Sequence, residues 1–220
     1  MFAIEIDSLK FGYTPEQSII DIGSFQLKPN QNLFIHGPSG AGKTTLLSIL
    51  CGIQSGYQGS VKIFEQELKN LKSSERDTFR AKNIGYIFQQ FNLVSYLSVR
   101  ENILLPLCFG SNRSLEDRAP ERLQMLVHAL EINNLLDRSV NQLSIGQQQR
   151  VAAARALITS PKVLIADEPT SALDDINKAK FMELLKNSAA ESKTTVVIVS
   201  HDKSLQSNFD QSLSIASEGN

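Results

Sequence analysis

The 220-residue chain lacks an excess of either charge: 22 lysines and arginines stand against 23 aspartates and glutamates. No run of like charge stands out. This argues against a basic stripe for nucleic acid and against a polybasic membrane anchor. Cysteine is scarce. Cys51 and Cys108 have no metal-type spacing and are expected to be buried free thiols in a reducing compartment. Long apolar runs are missing as well. Ile103–Leu107 and Val196–Val199 fall far short of the roughly 20 residues of a membrane-spanning helix. Met1 to Asp7 alternate like a strand, without the charged head and apolar run of a signal peptide. The expectation is a soluble, cytosolic protein, with any membrane part supplied by another chain. The length suits one domain, or one with an inserted subdomain, and buries a core without disulfides.

Alternation and turn residues predict strands at 2–8, 21–27, 32–36, 60–65 and 84–88. Apolar runs predict two more, Val163–Ala166 and Thr195–Val199. Helices are expected over Thr44–Leu50, from Ser98 to a limit at Pro106, and over Glu121–Leu130. Leu123, Leu126, Val127 and Leu130 share one face of the last. Two further helices are expected at Gln147–Leu157 and Asn177–Ser188. The order implies an α/β fold: a mostly parallel sheet flanked by helices, with an antiparallel β layer near the N-terminus. Residues 1–89 and 159–220 would form this α/β core, and 90–158 an inserted helical subdomain.

The most specific motif is Gly37-Pro38-Ser39-Gly40-Ala41-Gly42-Lys43-Thr44, a full match to G-x-x-x-x-G-K-[ST] between a strand and a helix. Glycines let the backbone curl around phosphates, and amides at the helix start face the negative charge. Lys43 would reach the β- and γ-phosphates, and the Thr44 hydroxyl would bind Mg²⁺. This makes the core that of a phosphate-loop NTPase. A second motif, Val163 to Glu168, sets two carboxylates at the end of an apolar strand, the edge where open α/β sheets bind ligands. Asp167 would hold Mg²⁺, and Glu168 would orient the attacking water.

Three further features are ambiguous by themselves. Leu143-Ser144-Ile145-Gly146-Gln147 contains an ordinary capping box, S-x-x-Q, and a capped helix start is also an anion site. His201 follows the strand at 195–199, from where it can reach a γ-phosphate, although a lone histidine there is more often a structural turn residue. Gln89 follows the strand at 84–88. His36 and His128 have only structural readings.

Taken in order, these motifs resemble the nucleotide-binding subunit of an ATP-binding cassette transporter over essentially the whole chain. Finer stretches, among them Tyr86 to Leu93, Gln147 to Ala152 and Ala166 to Thr170, are similar to the macrolide-exporter and lipoprotein-release branch. The resemblance implies ATP hydrolysis with Mg²⁺. Tyr13 would stack on adenine, and Thr45 would join the loop residues in binding ATP. Gln89 would touch Mg²⁺ and sense the membrane partner. Ser144, Gly146 and Gln147 would belong to the signature, Asp174 to the loop that crosses a dimer, and His201 to the switch. The partners implied are a permease with transmembrane helices and a second copy, or a similar ATPase, in a two-fold dimer. The chain would then sit on the inner face of the cell membrane through the permease. A regulatory ATPase of the cell-division type is the alternative, and a DNA-repair or translation ATPase is a more distant one. Phe91, Asn92, Leu93, Tyr96 and Leu97 are either a permease-docking surface or packing of the helical part. One departure stands out. Ile145 occupies a signature position where the family usually has glycine, which would be strained if that backbone needs φ > 0.

Overall fold

The computed structural model describes residues 1–14, 18–109 and 113–215. In chain order the strands and helices begin with β1 (Ile4–Phe11), β2 (Ile20–Leu27), β3 (Leu33–His36), α1 (Lys43–Leu50), β4 (Gln58–Ile63) and β5 (Gln66–Glu67). Next come α2 (Ser73–Asn83), β6 (Ile84–Ile87), α3 (Val99–Leu104), α4 (Arg113–Ala129) and α5 (Ile145–Leu157). The chain closes with β7 (Val163–Asp167), α6 (Asp175–Glu191), β8 (Thr195–Val199) and β9 (Gln211–Ser214). Two compact units emerge, Met1–Arg80 with Thr195–Asn220, and Ala81–Thr194.

In the first unit, β2, β1, β4 and β5 form an antiparallel sheet in that order. Ile4, Ile6, Leu9, Ile20, Leu27, Val61 and Ile63 are buried on it. Each such side chain contributes about 1.5–3 kcal/mol by leaving water. The same unit sets β3 between β8 and β9, parallel to both. All five residues of β8 are buried, the continuous apolar run of a strand covered on both faces. Leu46, Leu47, Ile49 and Leu50 of α1 are buried, and the helix ends just before Gly52.

In the second unit, β6 and β7 pair in parallel. Helix α5 packs close to β6: a Cβ on Gly85 would lie 2.2 Å from the Ala156 carbonyl oxygen. Alanines make this possible from the helix side, with Ala152, Ala153 and Ala154 fully buried. Helix α3 opens with the expected capping box, Ser98 and Glu101 each bonding the other's backbone amide. The Ser98 hydroxyl, then its amide, hold the Glu101 carboxyl below its ordinary range. Asn102, fully buried on α3, ties down the preceding loop. It accepts from Val94 N–H at 2.7 Å and donates to the Val94 and Ser98 carbonyls, each at 3.0 Å.

Several expectations need correction. No helix was expected at α2, whose sequence buries no residue and carries no apolar stripe. Strand β9 was also missed, being short and polar. Helix α4 starts well before Glu121 and runs through Pro120. Cys51 is buried, but Cys108 is exposed, because it lies in a 3₁₀ stretch, Leu105–Phe109, that buries no residue.

Two tests follow. Gly85→Ala forces α5 away from β6 and should lower unfolding free energy by about 1–3 kcal/mol in urea denaturation. Burial pushes the Cys51 thiol up to about 12, partly offset by Arg80. Alkylation of the native protein near neutral pH should therefore label Cys108 and leave Cys51 intact until denaturant is added.

Candidate functional site

In the first unit the chain leaves β3 at His36 and turns through the glycine loop into α1. Gly42 stands at the helix entry with φ 87°. A side chain there would be strained, and its Cβ would meet Ile19 at 2.7 Å and Ile20 at 2.9 Å. No side chain caps α1, so this helix end keeps the partial positive charge that draws anions. Lys43 folds back over the loop, and its Nζ donates to the Gly37 and Pro38 carbonyls, each at 2.9 Å. Tyr13 is 65% exposed and meets Phe11 edge-on, with ring centroids 5.1 Å apart. Its hydroxyl lies 3.3 Å from Thr45 Oγ1 on α1. That contact brings the predicted aromatic to the glycine loop's helix, beside a hollow of about 490 Å³ also lined by Lys10, Thr14 and Gln58. His201 is exposed just past β8. Because β8 runs parallel to β3, and Ser200 N–H donates to the Ile35 carbonyl at 3.1 Å, His201 and the loop leave the same sheet edge.

The second unit gathers the other predicted residues. Pairing of Ile87 with Ala166 puts Gln89 and the Asp167–Glu168 pair past neighbouring carboxyl ends of parallel strands. Asp167 and Glu168 are half-buried, and Glu168 has a left-handed backbone, φ 46°. A non-glycine residue in that region costs about 1–3 kcal/mol, which the surroundings must supply. The Glu168 carbonyl accepts from Ser171 N–H at 3.2 Å, closing a turn. Phe91 and Asn92, just after Gln89, are left-handed as well. Ser144 is the N-cap of α5: its Oγ accepts from Gln147 N–H at 3.3 Å, and Gln147 Oε1 accepts from Ser144 N–H at 3.0 Å. The Ser144 hydroxyl proton is not used by this cap and can be given to an acceptor. Ile145 has ordinary helical backbone as the first residue of α5 and is 53% exposed, so the suspected strain at this position does not exist. A Cβ on Gly146 would meet nothing closer than Leu173 at 3.9 Å. Asp174 caps α6, accepting from the Asn177 backbone N–H at 2.9 Å and side-chain amide at 2.7 Å. Those two bonds, the backbone one foremost, hold its carboxyl below the usual range. Of the segment after Gln89, Phe91 is core, Leu93 and Leu97 are half-buried, and Asn92 and Tyr96 face solvent.

Two polar side chains on α5 had no role assigned in the expectations. Gln149 is fully buried and donates to the Pro169 carbonyl, next to Glu168. Arg155 is 9% exposed and donates to the Phe91 and Asn92 carbonyls, the latter at 2.7 Å. Burial alone lowers its pKa from the ordinary guanidinium range. The available signal was a glutamine and an arginine on an otherwise alanine-lined helix face. Such a residue is buried only with a bonding partner.

Comparison with known proteins accords with this geometry. The family described as "ABC transporter" matches residues 20–171. The bacitracin export ATP-binding protein BceA of Halalkalibacterium halodurans is 37% identical over 85% of this chain and 73% of its own length. The macrolide export ATP-binding/permease protein MacB of Campylobacter jejuni is 37% identical over 85% of this chain, but over only 29% of its own length. Among solved structures, the dimeric cassette MJ0796 of Methanocaldococcus jannaschii superposes with a TM-score of 0.83 at 34% identity, covering 97% of this chain and 94% of that one. Its post-hydrolysis dimer with ADP and Pi gives a TM-score of 0.82 at 33% identity, covering 98% and 97%.

Since Ile145 is helical, exposed and unstrained, Ile145→Gly should leave the fold intact. The expected loss in urea denaturation is at most about 1 kcal/mol, the propensity difference for an exposed helical residue.

Proposed function

The chain belongs to the ABC transporter family as an ATP-hydrolysing cassette, and from this we propose that it is the motor of a membrane export complex. The observation that carries the proposal is the glycine loop: an uncapped helix start behind left-handed Gly42, with Lys43 laid across it. This arrangement suits a triphosphate, and the two carboxylates at the end of β7 suit its hydrolysis.

The roles follow from the chemistry of each group. Amides of Gly40 to Thr44 and the Lys43 ammonium neutralise the phosphates, with Lys43 exchanging the Gly37 and Pro38 carbonyls for phosphate oxygens. Tyr13, exposed and tethered to Thr45, offers its ring to the adenine. Thr44 in the first unit, and Asp167 and Gln89 in the second, would supply hard oxygen donors of the kind that Mg²⁺ takes. When bound, that cation neutralises charge developing on the β- and γ-oxygens. Glu168 accepts a proton from the attacking water, and His201 contacts the γ-phosphate.

Ser144, Gly146 and Gln147 serve the nucleotide of a second copy. In a two-fold dimer each copy completes the other's site, so ATP closes the pair through contacts that ADP does not make. The exposure of Ile145 (53%) and Ile176 (84%), apolar groups beside the signature and Asp174, supports a covering partner here. A similar ATPase in place of a second copy meets the same geometry. The closing motion works on a membrane-spanning permease. The match to BceA, an export ATP-binding protein, and to part of MacB, an ATP-binding/permease protein, supports this division of labour. Tyr96, fully out in solvent on a loop that Asn102 holds in shape, is the proposed contact with it.

Glu168→Gln should cut ATP turnover by roughly 10²–10⁴ while ATP still binds, the range for loss of a general base. Near-normal turnover would remove Glu168 from that role. The same variant, held with ATP and used as bait on detergent-solubilised membranes, should retain a membrane-spanning chain. Recovery of soluble chains alone would overturn the motor reading.

A further inference from the structure

Gln149 lies in the middle of the face that α5 buries, with no exposed surface. Its Nε2 donates to the Pro169 carbonyl, while its Oε1 is buried and accepts from no group. An apolar side chain of the same length would fill this space without an unpaired oxygen. What the amide adds is therefore the bond to Pro169.

That bond falls at a sensitive point. Pro169 has no N–H, so its carbonyl is its one polar backbone group, and its ring fixes its own φ. Once the carbonyl is held, the Pro169 backbone has little freedom left. The residue before it is Glu168, with φ 46°, a conformation that a side chain disfavours. The turn bond from Ser171 N–H to the Glu168 carbonyl lies on the far side of the same proline. Pro169 and Thr170 are buried between these two restraints.

We propose that Gln149 is a positioning residue for Glu168. By holding the Pro169 carbonyl, it keeps the Glu168 backbone left-handed and its carboxylate aimed at the water it activates. The proposal rests on the assignment of Glu168 above. It also makes Glu168 follow α5, whose first turn carries Ser144 and Gln147. A nucleotide contact at that turn thus bears on the carboxylate through one rigid helix.

The test compares wild type, Gln149→Met, Gln149→Glu and Glu168→Gln by steady-state ATP hydrolysis, binding of a fluorescent ATP analogue and thermal melting. Gln149→Met should lower kcat by about 10–100-fold, the effect of a misplaced catalytic group, with KM and ATP affinity within about twofold. The introduced carboxyl of Gln149→Glu donates only when protonated, and its burial raises its pKa. Its kcat relative to wild type should rise as pH falls from about 8.5 to about 6, with unchanged ATP affinity, whereas the Gln149→Met ratio stays flat. A purely structural role would lower ATP binding and kcat together. That result, a Gln149→Met enzyme within about twofold of wild type, or a flat Gln149→Glu ratio would each overturn the proposal. If Gln149→Met does not fold, the Gln149→Glu ratio decides. Glu168→Gln separates the two readings. Should it retain turnover, the assignment of Glu168 fails; should it be inactive while Gln149→Met is normal, the positioning role alone fails.

Discussion

Buried backbone polar groups must find hydrogen-bond partners, and the irregular turns of this protein depend on that requirement being met. The carbonyls of Phe91, Asn92 and Pro169 belong to no helix or strand, and Phe91 and Pro169 are buried. Their partners are supplied by Gln149 and Arg155 on a single helix. Phe91, Asn92 and Glu168 all have positive φ, so these bonds offset conformational strain as well as desolvation. The residues given chemical roles in the proposed function stand directly beside these turns: Gln89 before one, Asp167 and Glu168 at the other. The apolar packing of α5 is thus the means by which irregular backbone at the functional edge is held.

The first unit solves the same problem differently. Its glycine loop is held by its own lysine and by the fit of Gly42 against Ile19 and Ile20. The helix start is left without a capping side chain, whereas α3, α5 and α6 are each capped by a serine or an aspartate. The contrast sorts helix starts by use. A cap stabilises a helix that only has to fold, and the uncapped start retains its pull on an anion. Ser144 combines the two, since its oxygen caps while its proton remains available.

Much of this was legible in the sequence. Gly37 to Thr44 is specified by spacing, and its flanking strand and helix by apolar runs. Val163 to Glu168 could be read only because a phosphate loop lies upstream, since an apolar strand ending in acids is by itself an ordinary polar turn. The capping boxes at Ser98 and Ser144 are local and needed no tertiary knowledge. Helix α2 was hidden because it is polar almost throughout and buries no residue. The status of Gln149 and Arg155 was hidden for a deeper reason. Whether a polar residue on an alanine-rich helix is surface or core depends on what packs there, and that is set by residues far away in the chain. The backbone at Ile145 was illegible for the opposite reason. A motif position that usually holds glycine suggested a need for positive φ, but the helix begins at Ile145, two residues before the expected start at Gln147. The exposure of Cys108 follows from a 3₁₀ stretch that composition does not reveal.

The near-contact between Gly85 and the Ala156 carbonyl bears on how such a protein can change over generations. A strand residue is, through that contact, answerable for the turns that α5 holds. One methyl group there would move the glutamine and the arginine together, so, under the positioning role proposed for Gln149, drift at this position would cost chemistry as well as stability. Tolerance to substitution at β6 is then set by hydrolysis as well as by folding, and neutral variation should gather on surfaces such as α2, which bury nothing.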